Sequence, residues 1–342
     1  MNIHHPLLKE EFRKIAALDL PWDALAGKAV AVTGATGLVG SYLLRALDAV
    51  SRTHNLHLRL IALCRRPEAA QERLSGVENL ALLPYDTCAP LDAGFRADYI
   101  VHAASNAHPL AFSTDPVGTM QANLLGTMRL LERIRAAGGR LLFLSTGEIY
   151  GENPNLPSFD EHSFGSVDPM RFRACYPESK RAAETLCASY AQQYGTDALV
   201  ARLSYTYGPT ITKENSRADA QFLRCALEKR DIVLKSTGAQ VRSYCYAADT
   251  ASALITLLLR GETGEAYNVA NPDCSVSIRE YARTLADLAG VNLVFDLPPD
   301  AERAGYSAVT RAVLDPGKLM HLGWHAEYNL RTGLAHTLEI SR

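Results

Sequence analysis

A tyrosine and a lysine four residues apart are the clearest candidates for chemistry in this chain. Tyr176 and Lys180 lie in the run YPESKRAAE, which continues as a helix. Residues four apart share one helical face, about one turn from each other. A lysine cation beside a phenol favours the phenolate and lowers the phenol pKa from about 10. The spacing makes Tyr176 a candidate general base for a hydroxyl group, although such pairs also arise by chance.

A hydroxyl and a carboxylate follow an apolar run earlier in the chain. The segment STGEIYG, residues 145–151, leaves a predicted strand at 140–145. Ligands bind at the carboxyl ends of strands in parallel sheets. A hydroxyl in this segment can therefore hydrogen-bond the oxygen that Tyr176 deprotonates. Glu148 places a carboxylate in the same crevice.

A glycine-rich turn, TGATGLVG at 33–40, stands between an apolar run and a helical pattern that begins at Leu38. Its glycines allow a tight turn and a close approach of the backbone to a pyrophosphate, which the helix N-terminus attracts. Glycines also mark ordinary turns, but the strand before and the helix after favour dinucleotide binding. The predicted contacts are Gly34, Thr36, Gly37, Leu38 and Val39.

The end of the second predicted strand bears on which dinucleotide is bound. An acid at this point would hold the ribose hydroxyls of NAD, whereas this strand ends in Arg65 and Arg66. An arginine fork suits the 2′-phosphate of NADP, and the alternative is that both arginines begin a solvated loop. Asp86, just past the third strand, is a candidate acceptor for the adenine amino group. The sequence leaves NAD and NADP both open.

These candidates need a sheet to position them. Apolar runs predict five strands, at 28–33, 57–64, 79–83, 99–103 and 140–145. Helical patterns alternate with these strands, which are apolar on both faces, as in a parallel sheet covered on both sides. With right-handed crossovers this gives an α/β, doubly wound (Rossmann) fold.

The alternation breaks down after Gly208 and Pro209. Helical patterns at 217–229, 249–259 and 278–289 then mix with short strands, which predicts a smaller α/β substrate-binding lobe. The predicted organisation is an N-terminal helical extension at 1–26, a Rossmann domain at 27–209 and the lobe at 210–342, with elements that can interleave.

Composition excludes several classes of protein. The 342 residues carry 35 Lys plus Arg against 37 Asp plus Glu, which does not favour a nucleic-acid partner. No stretch reaches the ~18–20 apolar residues of a membrane span, and the polar start does not read as a secretory signal. Seven cysteines without CxxC spacing argue against a disulfide framework or a metal site. We expect a cytoplasmic protein.

Taken in order, these motifs resemble the extended short-chain dehydrogenase/reductase superfamily, specifically its NAD-dependent nucleotide-sugar epimerase/dehydratase family. The resemblance covers Gly27 to about Leu338. The motifs that carry it are TGATGLVG, HAAS at 102–105, NLLGT at 123–127, STGEIYG, YPESK, YGP at 207–209, VRSYCYAADT at 241–250, YNVAN at 267–271 and LGW at 322–324.

The resemblance implies a role for each matching residue. Thr146 matches the catalytic Ser/Thr, Tyr176 the base, and Lys180 its partner, which also binds the nicotinamide ribose. Arg242 matches an arginine that binds the substrate pyrophosphate, and Arg311 is a weaker candidate for the same nucleotide. Further contacts are Ala103, Ala104 and Ser105 to the cofactor, and Ser105, Thr146 and Tyr205 to the substrate. The family also implies a homodimer.

Departures from the family pattern leave the reaction open. Gly147 stands where the 4,6-dehydratases have an aspartate that protonates the leaving C6 hydroxyl, while Glu148, their C5 base, is kept. UDP-glucuronate decarboxylases have a small residue there and resemble this chain at ASNAHP (104–109) and RACY (173–176). Tyr205 replaces a usual asparagine.

The expected function is an NAD(P)-dependent epimerase/dehydratase that works on a nucleotide sugar through a transient 4-keto sugar. Two alternatives are a UDP-glucuronate decarboxylase-like enzyme and a reductase that consumes NADPH. A non-catalytic cofactor sensor is disfavoured, because the Tyr176–Lys180 pair is intact.

Overall fold

The computed structural model describes residues 3–92, 94–297 and 310–342. Seven parallel strands form the central sheet, in the order β10-β6-β5-β4-β1-β2-β3. These strands are β1 (Ala29–Thr33), β2 (Arg59–Cys64), β3 (Leu80–Pro84), β4 (Tyr99–His102), β5 (Arg140–Thr146), β6 (Ala198–Leu203) and β10 (Ala266–Val269). The predicted doubly wound α/β fold is confirmed.

Helices cover both faces of this sheet, because each crossover between parallel strands needs a long connection. The longest are α2 (Leu38–Thr53), α5 (Pro116–Ala137), α6 (Cys175–Tyr194) and α8 (Ala247–Arg260). The other helices are α1 (Pro6–Ala16), α3 (Pro67–Arg73), α4 (Pro109–Thr114), α7 (Ala218–Leu227), α9 (Ile278–Ala289), α10 (Gly317–Met320) and α11 (Leu330–Ser341).

The second strand begins at Arg59, two residues later than predicted. Asn55 and His57 have positive φ angles of 53° and 54°, which lie outside the β region. The apolar pattern of this segment therefore includes a turn before the strand. The strand ends at Cys64 as expected, with Arg65 directly after it.

The chain reverses its direction of travel across the sheet beside β1. It passes outward through β2 and β3 and then returns to β4, on the other side of β1. Such a switch point opens a crevice at the carboxyl ends of the strands, where ligands bind in this class of fold.

The segments after residue 210 build a second layer around β9 (Val241–Tyr246). This strand pairs with β7 (Tyr205–Tyr207), β11 (Ser275–Ser277) and β13 (Arg311–Ala312), while β8 (Ile232–Leu234) pairs with β12 (Leu293–Phe295). β10 instead extends the central sheet beside β6. The segment after 210 therefore interleaves with the one before it.

The N-terminal helix α1 packs against α2 and carries a fully buried carboxylate, Glu11. The Tyr246 hydroxyl donates to Glu11 Oε1 at 2.8 Å, and His336 Nδ1 lies 2.7 Å from the same oxygen. These bonds join the N-terminal helix to β9 and α11.

Within residues 3–92, 94–297 and 310–342, no helix combines the length and the apolar character that crossing a membrane requires.

Candidate active site

A cavity of about 260 Å³ opens at the carboxyl ends of β1, β4, β5 and β6. Many of the predicted site residues line it, although they come from separate segments of the chain. They are Gly34, Gly37, Leu38, Val39, Ala103, Ser105, Thr146, Glu148, Tyr176, Lys180 and Tyr205. The cavity therefore joins the glycine turn to the Tyr–Lys helix in one site.

The backbone of the glycine turn lies close to the backbone of the segment after β4. Gly34 has a φ of +63°, and a Cβ there would lie 2.8 Å from the carbonyl carbon and oxygen of Ala103. Gly37 caps α2 without a side-chain hydrogen bond, so the first N–H groups of that helix have no side-chain acceptor at the cap. A helix N-terminus of this kind attracts a phosphate. The turn fits the pyrophosphate of a dinucleotide.

Tyr176 lies near the start of α6, with only 7% of its surface exposed. Its ring stacks on Phe112, with the ring centroids 4.7 Å apart. Burial and the nearby Glu148 carboxylate raise the pKa of Tyr176, and the Thr146 hydroxyl opposes this only in part. The direction is opposite to the one expected from the Tyr–Lys spacing.

Lys180 explains that difference. Its ammonium donates to the backbone oxygen of Leu144 at 2.7 Å and lies 4.5 Å from the Phe143 ring centroid. Burial lowers the pKa of Lys180 to about 7, because the apolar surroundings disfavour the charged form. The cation therefore interacts with β5 rather than counteracting the burial of the phenol.

Glu148 is held by an arginine that the sequence analysis did not assign to the site. Arg173 Nη1 donates to Glu148 Oε2 at 2.8 Å, and Arg173 Nη2 donates to Oε1 at 3.3 Å. Glu148 sits on a 3₁₀ turn, Gly147–Tyr150, whose Thr146 Oγ1 accepts the Glu148 N–H at 3.2 Å. The RACY run contains Arg173, but 25 residues separate it from Glu148.

A neighbouring leucine fills the space beside Gly147. A Cβ at this position would lie 3.1 Å and 3.2 Å from the two methyl carbons of Leu314. Leu314 is buried and lines the cavity, so a larger side chain at 147 would force it to move. Gly147 therefore packs against Leu314, and a larger side chain at 147 has no space unless that leucine shifts.

Tyr205 brings a second arginine to the edge of the site. Arg242 is 3% exposed, and its guanidinium carbon lies 5.8 Å from the Tyr205 ring centroid. Burial, more than any charge, raises the pKa of Tyr205. Tyr205 lines the cavity, whereas Arg242 is not among the residues that line it.

A chain of hydrogen bonds joins the loop after β4 to helix α6. Ser105 Oγ donates to Asn123 Oδ1 at 2.8 Å, and Asn123 Nδ2 donates to Ser179 Oγ at 2.9 Å. Asn123 and Ser179 are fully buried. The chain fixes α5 against α6 beside Tyr176.

Other predicted contacts lie away from this cavity. Asp86 Oδ1 accepts the Cys88 N–H at 2.8 Å, the Ala104 N–H donates to Thr33 Oγ1 at 2.9 Å, and Arg311 Nε donates to the Pro157 oxygen at 2.6 Å. The predicted residues that do not line the cavity are Thr36, Arg65, Asp86, Ala104, Arg242 and Arg311. Their roles stay predictions.

Two loops supply cavity residues that sequence reasoning missed. These residues are Ala107, His108, Thr212, Asn215 and Arg217. His108 Nδ1 lies 3.1 Å from Ser216 Oγ, which connects the loop before α4 to the loop before α7. Ala107 and His108 lie in the ASNAHP motif of the sequence, whereas the other three residues enter the site only through the fold.

Comparisons with known proteins show the family and the fold of the chain. The NAD dependent epimerase/dehydratase family matches residues 30–270. UDP-glucuronic acid decarboxylase 3 of Arabidopsis thaliana is 30% identical over 311 residues, covering 89% of this chain and 86% of that protein.

Two solved structures are similar over most of the chain. A UDP-glucose 4-epimerase of Thermus thermophilus in complex with NAD has a TM-score of 0.76 and 26% identity, covering 91% of this chain and 98% of that one. A dTDP-glucose 4,6-dehydratase of Streptomyces venezuelae with NAD bound has a TM-score of 0.76 and 25% identity, covering 91% and 96%.

Proposed function

Because the chain belongs to the NAD-dependent epimerase/dehydratase family, we propose that it transforms a nucleotide sugar through a transient 4-keto sugar. The observation that carries this proposal is the convergence of Thr146, Glu148, Tyr176 and Lys180 on the cavity that also reaches the glycine turn. Four side chains able to move or stabilise protons thus share one cavity with the glycine turn.

The proposed proton chemistry assigns one task to each group. Tyr176, as a phenolate, would take the proton of the sugar C4 hydroxyl, for which the positive charge of a bound nicotinamide would have to lower the pKa that burial raises. Thr146 would hold the same sugar oxygen. A bound nicotinamide would supply the acceptor and later the donor of a hydride at C4. A 4-ketone would acidify the adjacent C5–H, and Glu148 would remove that proton. The protein would therefore position the sugar and carry out the proton transfers.

The proposed cofactor contacts follow the shape of the crevice. Gly34, Gly37 and the N-terminus of α2 would hold the pyrophosphate, and Lys180 would bind the nicotinamide ribose. The family is NAD-dependent. Arg65 and Arg66 are both exposed after β2 and support NADP as the alternative, since a guanidinium pairs well with a 2′-phosphate.

The proposed substrate contacts lie at the other end of the site. Ser105 and Thr146 would bind the sugar, and Tyr205 would lie against it. Arg242 and Arg311 would bind the nucleotide phosphates after side-chain movement, since neither lines the cavity here.

Decarboxylation of a nucleotide-linked hexuronate is a second candidate. Dehydration in this family needs an acid at the position of Gly147, and Leu314 occupies the space beside that glycine. Decarboxylation needs the 4-ketone but no acid for a leaving C6 hydroxyl. The similarity to UDP-glucuronic acid decarboxylases, at 30% identity, favours the same reaction.

A survey of products tests the proposal. The protein is incubated in deuterated buffer with UDP-, dTDP-, GDP- and CDP-sugars, including UDP-glucuronate, and the products are assigned by NMR. A pentose product with released carbon dioxide identifies a decarboxylase, a 4-keto-6-deoxy sugar a dehydratase, and an inverted centre an epimerase. Stoichiometric consumption of added NADPH identifies a reductase. No conversion of any sugar would refute the proposal.

We also propose a homodimer, in line with the family resemblance. The long helices α5 and α6 expose apolar side chains, including Met120, Met128 and Tyr194. Sedimentation of the purified protein tests this state. The cytoplasmic location stays a prediction.

A further inference from the structure

We propose that Arg173 is a positioning residue that fixes the carboxylate of Glu148 for proton transfer at the sugar C5, an inference that rests on the proposed function. Both terminal nitrogens of Arg173 bond the carboxylate, at 2.8 Å and 3.3 Å. A paired contact of this kind sets the rotation of a carboxylate as well as its location. Tyr176 and Lys180 each end in a single polar atom, so neither can form such a paired contact with Glu148.

The pairing leaves Glu148 able to act as a base. An ionised carboxylate offers about four lone-pair sites, and Arg173 uses two of them. Glu148 still lines the cavity, with 24% of its side chain exposed. Arg173 therefore orients the group, and the remaining lone pairs can face a bound sugar.

Arg173 is itself held by an aromatic contact. Its guanidinium carbon lies 5.6 Å from the Phe112 ring centroid, a favourable cation–π arrangement. Phe112 is 3% exposed and stacks on Tyr176 through its ring. The arginine thus lies against the aromatic residue that packs on the proposed C4 base.

Arg173 lies next to α6, the helix that carries Tyr176, in the chain. It lies in the 3₁₀ turn Phe172–Ala174, which leads directly into α6, three residues before Tyr176. A single helix start therefore positions the proposed C4 base directly and the proposed C5 base through Arg173. The two proton-transfer groups keep a fixed relation to each other.

The test separates the C5 step from the C4 step. Arg173→Gln removes the cation and the paired geometry but keeps a polar side chain of similar reach. We expect deuterium incorporation from solvent at C5 to fall by about 100-fold, the cost typical of a misplaced catalytic group. The appearance of reduced nicotinamide on mixing with substrate should stay at the wild-type rate. Arg173→Lys should restore part of the C5 exchange, because lysine keeps the charge without the fork.

Arg171→Gln is the matched control. Arg171 lies in the same loop, is 73% exposed and pairs with Asp168 outside the cavity. This variant should exchange C5 at the wild-type rate.

Three outcomes would overturn the assignment of Arg173. Unchanged C5 exchange in Arg173→Gln would show that Glu148 needs no positioning, and faster exchange would show that the ion pair restrains the base. An equal loss of both steps with a lower unfolding temperature would show a merely structural role. Absence of any keto intermediate in the wild type would instead refute the proposed function itself.

Discussion

Lys180 and Leu144 are joined by a hydrogen bond of 2.7 Å, from the lysine ammonium to the backbone oxygen of the strand beneath it. Lys180 is only 2% exposed. A neutral carbonyl satisfies one ammonium proton but supplies no opposite charge, so burial dominates and lowers the pKa of Lys180 to about 7. Lys180, to which we assign the nicotinamide ribose in the proposed function, therefore costs stability when it is protonated.

This cost predicts a pH dependence of folding. The pKa of lysine in the unfolded chain is about 10.4. Between pH 7 and that value the unfolded state binds more protons at Lys180 than the folded state, so its contribution to stability rises with pH. Lys180→Met removes the contribution. We expect the free energy of unfolding of the wild type, minus that of Lys180→Met, to increase from about pH 7 to about pH 10.

Urea unfolding of both proteins across that range measures the difference. A difference that is flat or that decreases with pH would contradict the burial of a titrating Lys180.

Tyr176→Phe tests the proposed base. The phenol oxygen is lost while the ring keeps its stacking on Phe112, so we expect the fold to persist. Turnover should fall by at least about 100-fold, the lower range for general acid–base catalysis. Dinucleotide binding, measured by titration calorimetry, should change little. Tyr194→Phe is the control, because Tyr194 lies on the same helix and is 49% exposed. Wild-type turnover in Tyr176→Phe would eliminate the role.

Gly34→Ala tests the cofactor cradle against Gly27→Ala. Both glycines have positive φ, +63° and +70°, so each alanine pays a similar backbone strain of about 1–3 kcal/mol. Only at position 34 would the new Cβ also meet backbone, 2.8 Å from Ala103, whereas nothing lies within 4 Å at position 27. We expect Gly34→Ala to lose more stability and to lose dinucleotide binding. Equal affinity of the two variants for the dinucleotide would show that the pyrophosphate binds elsewhere in the protein.

The sequence could identify the residues at strand ends and on one helix turn, because local pattern fixes their positions. Thr146 follows a predicted strand, and Tyr176 and Lys180 have helical spacing; all three line one cavity. Pairings between distant segments could not be identified in this way. Leu314 lies beside Gly147, and Arg173 holds Glu148, only because separate loops meet in the fold.

Local spacing also gave the wrong direction for the pKa of Tyr176. Spacing places a cation one turn from the phenol but does not show how deeply both groups are buried. In the structure burial and Glu148 outweigh the other influences on Tyr176. A pKa therefore depends on the complete surroundings of a group, which form only when the sheet and the helices pack.

Arg65→Gln tests the choice between the two dinucleotides. Arg65 directly follows β2 and is exposed, a position from which its guanidinium can pair with a 2′-phosphate. If the protein uses NADP, loss of this charge-assisted pair should weaken NADP binding by about tenfold and leave NAD binding unchanged. Arg59→Gln is the control, because Arg59 is exposed at the opposite end of the same strand. Calorimetric titration of each variant with both dinucleotides measures the ratio. Equal affinities of wild type and Arg65→Gln for NADP would show that Arg65 belongs to a solvated loop and leave NAD as the cofactor.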